Sequence, residues 1–234
     1  MVTCNLFGRY GNNLFQVSAT IAYALKHKIQ YSIPRYGLNF GQITKYKFPN
    51  QTDARSSPTY DQPNHGYTEI PNFLNVNLNG HFQSEKYFEG FRDEIRTELG
   101  FPKATINKCA IHVRRGDYVC QENRFPILPI GYYEDSILYM RKRGISIFVI
   151  FSDDIEWCKK NIDGHEWQFY KTNDDIADLK HMAEYKYMII ANSSYSLFAS
   201  LINEKECVIA PKLWFGKDIN LKTEDLLPER FIKL

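Results

Sequence analysis

Apolar residues recur along this chain in two rhythms. From residue 106 onward, short apolar runs alternate with longer segments whose apolar positions return every three or four residues. Runs of four to eight read as strands and the 3.6-period segments as helices. The spacing predicts strands over 109–113, 145–151, 167–170, 187–191 and 207–210, with helices over 129–143, 154–161, 174–184 and 194–202 between them. Strict alternation of this kind argues for a parallel, doubly wound sheet with both faces covered. Before residue 106 the pattern is less regular. A strand over 2–7 leads through the glycine-punctuated turn Gly8-Arg9-Tyr10-Gly11-Asn12-Asn13 into a helix over about 14–27, where Leu14, Val17, Ile21 and Leu25 keep helical step. Residues 34–75 are polar, rich in Pro, Asn and Tyr, and without period, which reads as long loops with one short helix at most. Ser84 then caps a helix over 85–99, with Tyr87, Phe91, Ile95 and Leu99 in step and Gly100 as its stop. The chain therefore divides into 1–105 and 106–234.

Composition narrows the classes. The 44% hydrophobic and 24% charged fractions suit a folded globule. A formal charge of +2 implies no polyanion-binding surface, so nucleic acid is not an expected partner. The 16 Tyr and 16 Phe fit sugar or base stacking and fit a packed core equally well. Cys4, Cys109, Cys120, Cys158 and Cys207 form no C-x-x-C pair and no zinc spacing, and three of them lie in strand-like runs. That argues for a reducing compartment. With no leader-like N-terminus and no apolar run long enough to span a bilayer, the expected location is cytoplasmic, without an integral membrane segment.

The chemistry gathers at strand ends. Ala110-Ile111-His112-Val113-Arg114-Arg115-Gly116-Asp117 is a buried strand with a His, two Arg and an Asp at its carboxyl end. Ligands of open α/β sheets bind there, and paired guanidiniums suit a doubly negative, oxygen-rich group such as a pyrophosphate. The segment also reads as a surface Arg pair closed by Asp117. At the next strand end, Ser152-Asp153-Asp154 offers a helix cap and one carboxylate to spare. At a third, Asn192-Ser193-Ser194-Tyr195-Ser196 enters a helix, where free amides and hydroxyls suit phosphate. No D-x-D triplet, G-x-S-x-G elbow or Walker lysine loop occurs. Transfer of a phosphate-activated group, with arginines stabilising the leaving group, fits best.

These blocks, in order, resemble the α-1,2-fucosyltransferase family of inverting, metal-independent glycosyltransferases. The resemblance rests on Gly8-Arg9-Tyr10-Gly11-Asn12-Asn13-Leu14-Phe15-Gln16, on Gly80-His81-Phe82-Gln83-Ser84-Glu85-Lys86-Tyr87-Phe88, and on the H-x-R-R-x-D block His112 to Asp117. It continues through Leu128 to Tyr133, Phe151 to Asp154, Ile190 to Ser196 and Ala210 to Phe215. It implies two Rossmann-like halves facing across a cleft, the glycosyltransferase B-type fold, with a reduced N-terminal acceptor-side half and a GDP-sugar-binding C-terminal half. It implies GDP-β-L-fucose as donor, a glycan acceptor such as the 2-OH of a galactoside, and neither metal nor cofactor. Arg114 and Arg115 would lie at the pyrophosphate with His112 beside them, Asp153 toward guanine or ribose, and Ser194 and Ser196 toward the β-phosphate. Gly8, Arg9 and Asn12 would face sugar and acceptor. Asp117, His112 and Glu122 remain alternatives for the base, with Asp117 equally an orienting group for the arginines. Leu197-Phe198 stand where the family carries paired tryptophans, which bears on acceptor choice. Another GDP-sugar as donor, or a non-catalytic sugar-binding module, are the competing readings.

Overall fold

The computed structural model describes residues 1–35, 48–52, 58–162, 167–221 and 223–234. They form two compact units. One comprises Met1–Phe101 with Leu221–Pro228, the other Pro102–Asn220 with Glu229–Leu234. The segment Leu221–Pro228 thus packs with the first unit, although the sequence reading assigned it to the second half.

The first unit is built on β1 (Val2–Cys4), α1 (Tyr10–His27), β2 (Ile33–Pro34), β3 (Gln51–Thr52), β4 (Thr59–Asp61) and β5 (Val76–Asn79). Its strands are parallel in the order β1-β5-β4, and a bridge from Val2 to Tyr31 links β1 to the β2–β3 pair. Val76 and Leu78 turn into the core. Asn77 and Asn79, on the opposite face, build a polar ladder across the three strands. Thr3 Oγ1 donates to Asn77 Oδ1 at 3.0 Å, Asn5 Nδ2 to Asn79 Oδ1 at 3.1 Å, and Asn79 Nδ2 to Asp61 Oδ1 at 2.6 Å.

Two expectations change here. The helix expected from residue 14 begins at Tyr10, because the loop-forming amides of its first turns are occupied by the preceding loop. Asn13 Nδ2 donates to Phe7 O at 3.0 Å, and the Phe7 N–H donates to Gln16 Oε1 at 3.2 Å. The helix expected over 85–99 opens instead as two 3-10 turns, Glu85–Tyr87 and Glu89–Phe91, before α2 (Arg92–Glu98). Phe88, at φ −143 and ψ 0, leaves helical geometry between them, and Gly90 follows. Ser84 does cap the first turn, accepting the Lys86 N–H. Part of the loop stretch expected over 34–75 lies outside the described residues; the described part supplies β3 and β4.

The second unit follows the predicted alternation through β6 (Ile106–Val113), α3 (Ile130–Lys142), β7 (Phe148–Ser152), α4 (Ile155–Asn161), β8 (Trp167–Tyr170), α5 (Asp175–Ala183), β9 (Tyr185–Ile189, two residues earlier than expected), α6 (Ser194–Leu201) and β10 (Cys207–Ala210), and adds a strand not expected from the sequence, β11 (Ile232–Lys233). All six strands are parallel, in the order β11-β10-β9-β6-β7-β8. The chain lays down β6, β7 and β8 outward in one direction, then returns to add β9, β10 and β11 on the other side. The reversal leaves a switch point between β6 and β9, where doubly wound sheets bind ligands.

Alternation along β6 sets the faces. Cys109, Ile111 and Val113 pack with Tyr133, Ile137 and Met140 of α3 and Cys158 of α4. The intervening side chains turn toward the α6 side, as His112 shows below. Tyr132 crosses beneath the sheet's other half, its hydroxyl buried against two carbonyls, 2.7 Å from Ile190 O and 3.3 Å from Ile209 O. Tyr132→Phe should cost about 1–2 kcal/mol, since the buried Ile190 carbonyl loses the Tyr132 donor while Ile209 O keeps the Ile190 N–H. Urea unfolding that gives an unchanged midpoint would show that this hydroxyl ties nothing down.

Candidate functional site

The carboxyl end of β6 delivers His112, Arg114 and Arg115 within four residues, and alternation sends them to different places. His112 is buried, with Nδ1 2.8 Å from Ser196 Oγ and its ring packed 5.5 Å from that of Tyr195. Both partners belong to α6, so this contact bolts the end of β6 to the first turns of that helix. Burial, reinforced by the Arg114 charge, pushes the His112 imidazole down to about 3. That shift keeps the imidazole neutral across the physiological range.

Arg114 ion-pairs closely with Asp117, and its Nη1 lies 2.6 Å from Asp153 Oδ2. Its guanidinium sits 5.2 Å from the centroid of the Tyr118 ring. The Tyr118 hydroxyl in turn donates to Asn192 O at 3.1 Å, which ties this arm to the loop entering α6. Arg115 departs toward α4. Its Nε donates to Asp154 Oδ2 at 3.2 Å, and its guanidinium lies 4.0 Å from the Trp157 ring centroid. The two arginines expected to act side by side therefore turn to different partners, Arg114 to Asp117 and Asp153 and Arg115 to Asp154 and Trp157.

The Asp153-Asp154 pair divides its work as the cap argument allowed. Asp154 is the N-cap of α4, accepting the Trp157 N–H at 3.1 Å. Asp153 instead takes the Arg115 N–H at 2.9 Å as well as Arg114. Gly116 makes this approach possible, because a Cβ there would collide with the Asp153 carboxylate.

At the third strand end, Asn192 is buried and donates from Nδ2 to Pro126 O at 2.9 Å and Trp214 O at 3.2 Å. Ser193 caps α6 and Ser194 begins it, partly exposed. Ser196 does not reach the surface. It is fully buried, and its hydroxyl serves His112 and lies 3.4 Å from both Ala191 O and Ser193 O. The expectation of a phosphate-facing Ser196 is thus replaced by an internal contact. Helical spacing explains why: Ser196 lies two positions beyond Ser194 and turns to the packed face.

Gly8, Arg9 and Asn12 belong to the first unit, at the β1–α1 junction. Gly8 has φ +77, Arg9 is the exposed, extended N-cap of α1, and Asn12 Oδ1 accepts from Gln83 Nε2 at 2.7 Å. Sequence reasoning missed Tyr118, Trp157, Asn192 as an anchor, and Gln83. Trp157 carried a usable signal, standing three residues beyond a capping Asp on the face that meets the strand end.

A six-stranded parallel sheet with an ionic cluster and a helix N-terminus at its switch point defines a Rossmann-like α/β unit of the kind glycosyltransferases use. Residues 43–229 match the family described as Glycosyl transferase family 11, and the chain belongs to that family. It is 32% identical to an α-1,2-colitosyltransferase of Escherichia coli, over 68% of this chain and 62% of the relative. It is 26% identical to the galactoside 2-α-L-fucosyltransferase SEC1 of Bos taurus, over 68% of this chain and 51% of that one. The chain therefore spans from about half to just under two thirds of the length of these two relatives. Among solved structures, the fucosyltransferase NodZ from Bradyrhizobium superposes with a TM-score of 0.52 at 10% identity, covering 91% of this chain and 94% of that one. The likeness supports the GT-B-like α/β fold. No helix among the described residues is long and apolar enough to cross a membrane.

The neutral, buried His112 has a consequence for stability. Its ordinary value of 6.5 applies to the unfolded chain, so between about 6.5 and 3 the unfolded state binds the extra proton. Stability from this residue is therefore complete above pH 7 and is lost as pH falls, by up to a few kcal/mol. Urea unfolding of His112→Gln should show a shallower loss between pH 7 and 4 than the parent chain. Parallel slopes would mean that His112 is protonated equally in both states.

Proposed function

We propose that this chain carries out glycosyl transfer from GDP-β-L-fucose to a hydroxyl of an acceptor glycan, the 2-OH of a galactoside, with inversion and without a metal ion. The observation that supports it most is the position of Arg114, at the β6/β9 switch point and tied through Tyr118 to the start of α6. A diphosphate there would meet the first-turn amides of α6, the Ser194 hydroxyl and the Arg114 fork together.

Charge balance dictates what binding must do. The cluster holds two guanidiniums, Arg114 and Arg115, against three carboxylates, Asp117, Asp153 and Asp154, a net charge of minus one that opposes a nucleotide diphosphate. Arg114 must exchange one carboxylate for phosphate oxygens. Releasing Asp153 would unlink the β6 and β7 loops that it joins through Arg114 and the Arg115 N–H, so Asp117, on the short 3-10 turn Gly116–Cys120, is the partner released. The same carboxylate, freed as donor binds, is then available to take the proton of the attacking hydroxyl. Orienting Arg114 and acting as base become successive states of one residue.

In the transition state, the anomeric carbon takes on oxocarbenium character and negative charge collects on the departing β-phosphate. Arg114 stabilises that charge. Arg115, stacked on Trp157 and paired with Asp154, holds the loop that carries Arg114. The 32% identity to a colitosyltransferase favours a second reading of the donor sugar, colitosyl in place of fucosyl, with the same residues at the phosphates.

Arg114→Ala should lower kcat by about 10²–10³, and Arg114→Lys should recover little of it, because a point charge cannot reproduce the bidentate fork. Arg115→Ala should cost about 1–2 kcal/mol in stability with a smaller loss of turnover. Equal loss of kcat in both alanine variants, at unchanged melting temperature, would refute this division. Asp117→Asn should abolish the acidic limb of the pH–rate profile; an unaltered profile removes Asp117 as base. Mass analysis of products from GDP-fucose and GDP-colitose, offered with a galactoside panel, decides the transferred sugar. GDP binding with no consumption of either donor would overturn the transferase reading.

A further inference from the structure

We propose that Phe125 and Gly216 are positioning residues for Arg114: the chain after β10 fixes the guanidinium in place through the stacked rings of Phe125 and Tyr118. The inference deepens the transferase reading by naming what aims its phosphate-binding arginine, and its first test needs neither donor nor acceptor.

A column of side chains starts at the end of β6. The Arg114 guanidinium lies over the Tyr118 ring at 5.2 Å, the Tyr118 and Phe125 rings stack at 4.9 Å with 18° between their planes, and Phe125 meets Phe215 at 6.2 Å. A near-parallel pair at that spacing is a favourable ring contact, and a ring face attracts a guanidinium. Backbone on either side of Phe125 holds it in turn. The Gly216 N–H donates to Arg124 O at 2.8 Å, the Asp218 N–H donates to Asn123 O at 3.0 Å, and Asn192 Nδ2 donates to both Pro126 O and Trp214 O. Two stretches far apart in sequence, 123–126 and 214–218, are thereby laced together before and after Phe125. Glycine is required where they cross, because a Cβ on Gly216 would collide with the Asn123 carbonyl.

The column answers a need of the site. Asp117 and Tyr118 are neighbours on the 3-10 turn Gly116–Cys120, so a movement that frees Asp117 from Arg114 also pulls at the ring under the guanidinium. Phe125 lies outside that turn and is fastened to the chain after β10, so its ring resists the pull. The contact it preserves is of the right kind. A neutral ring attracts the cation without occupying its N–H fork, which stays open to phosphate oxygens while the Asp117 pair is exchanged. A charge-stabilising group displaced by about 1 Å loses on the order of 10²-fold in rate, so a fixed Arg114 is worth a dedicated support.

The full chain, labelled with ¹⁵N in arginine, would be followed through its Nε–H signals, those of Arg114 and Arg115 being assigned by their loss in the two alanine variants. Phe125→Leu, which keeps an apolar side chain but removes the ring, should move the Arg114 signal, and so should Gly216→Ala. Phe125→Tyr, which keeps the ring, should leave it in place. The Arg115 signal is the control for an intact fold and should stay put throughout, since Asp154 and Trp157 hold that guanidinium instead. In turnover of GDP-fucose or GDP-colitose, Phe125→Leu should lower kcat by about tenfold or more with donor KM little changed. In an Arg114→Ala background it should lower kcat no further, because the group it positions is gone. An Arg114 signal unmoved in Phe125→Leu, a signal that moves together with that of Arg115, or an undiminished loss of kcat from Phe125→Leu in the Arg114→Ala background overturns the inference. A selectively moved Arg114 signal in a chain that consumes no GDP-sugar upholds it and refutes only the transferase reading.

Discussion

A guanidinium at the end of a buried parallel strand needs counter-charge on every side that water cannot reach. Arg114 meets that need with Asp117 from its own loop and Asp153 from the end of the neighbouring strand β7. The second of these contacts crosses between two strands, so it fixes the relative position of their loops as well as the side chain. Gly116 admits the Asp153 carboxylate, and the Arg115 backbone N–H holds it. Exposed ion pairs contribute little to stability. Here the pairs are part-buried and share members, and their main effect is to fix geometry before any ligand arrives.

Two neutral contacts support that ionic cluster from beneath. The bond from His112 to Ser196 holds β6 against α6, and Asn192 joins the α6 entry to the loops at Pro126 and Trp214. Both lie at the switch point, where the order of the strands reverses and no helix crosses over between β6 and β9 to cover the edge. Polar side chains do there what packing does elsewhere. A His kept neutral by burial suits this role, since a charge at that depth would lose its water and be repelled by Arg114.

The second unit was legible in the sequence because its inner strands are buried on both faces and read as continuous apolar runs, while the half-exposed edge strand β8 shows as an aromatic-rich run. The spans 167–170 and 207–210 agree with the observed strands to the residue. The strand over 145–151 was placed early at its start because Ile145 and Ile147 are apolar but precede the ladder, which begins at Phe148. The first unit was poorly legible for a physical reason. Strands of two to four residues carry too few positions to show a period. Half of β5 is asparagine because one face of that sheet is a side-chain hydrogen-bond ladder, and asparagine reads as loop. That His112, Arg114, Arg115 and Asp153 stand at strand ends was legible from position alone. What could not be read was direction: alternation carries Arg115 to α4 and helical turn carries Ser196 inward, and both depend on neighbours distant in sequence.

The same asparagine ladder bears on why the first unit holds its shape with so little regular structure. Each rung gives an amide in place of apolar packing, buried at Asn77 and half-exposed at Asn79, and Asn79 finds both a donor and an acceptor by linking Asn5 to Asp61 across three strands. A rung satisfied in this way fixes strand register more sharply than a methyl contact, because a slip of one residue would strand every amide at once. Register then determines which loop residues arrive together at the carboxyl edge. The short strands that hide the first unit from periodicity are thus the ones that bring Asn12, His65 and Gln83 into one hydrogen-bonded series at the sheet's carboxyl edge.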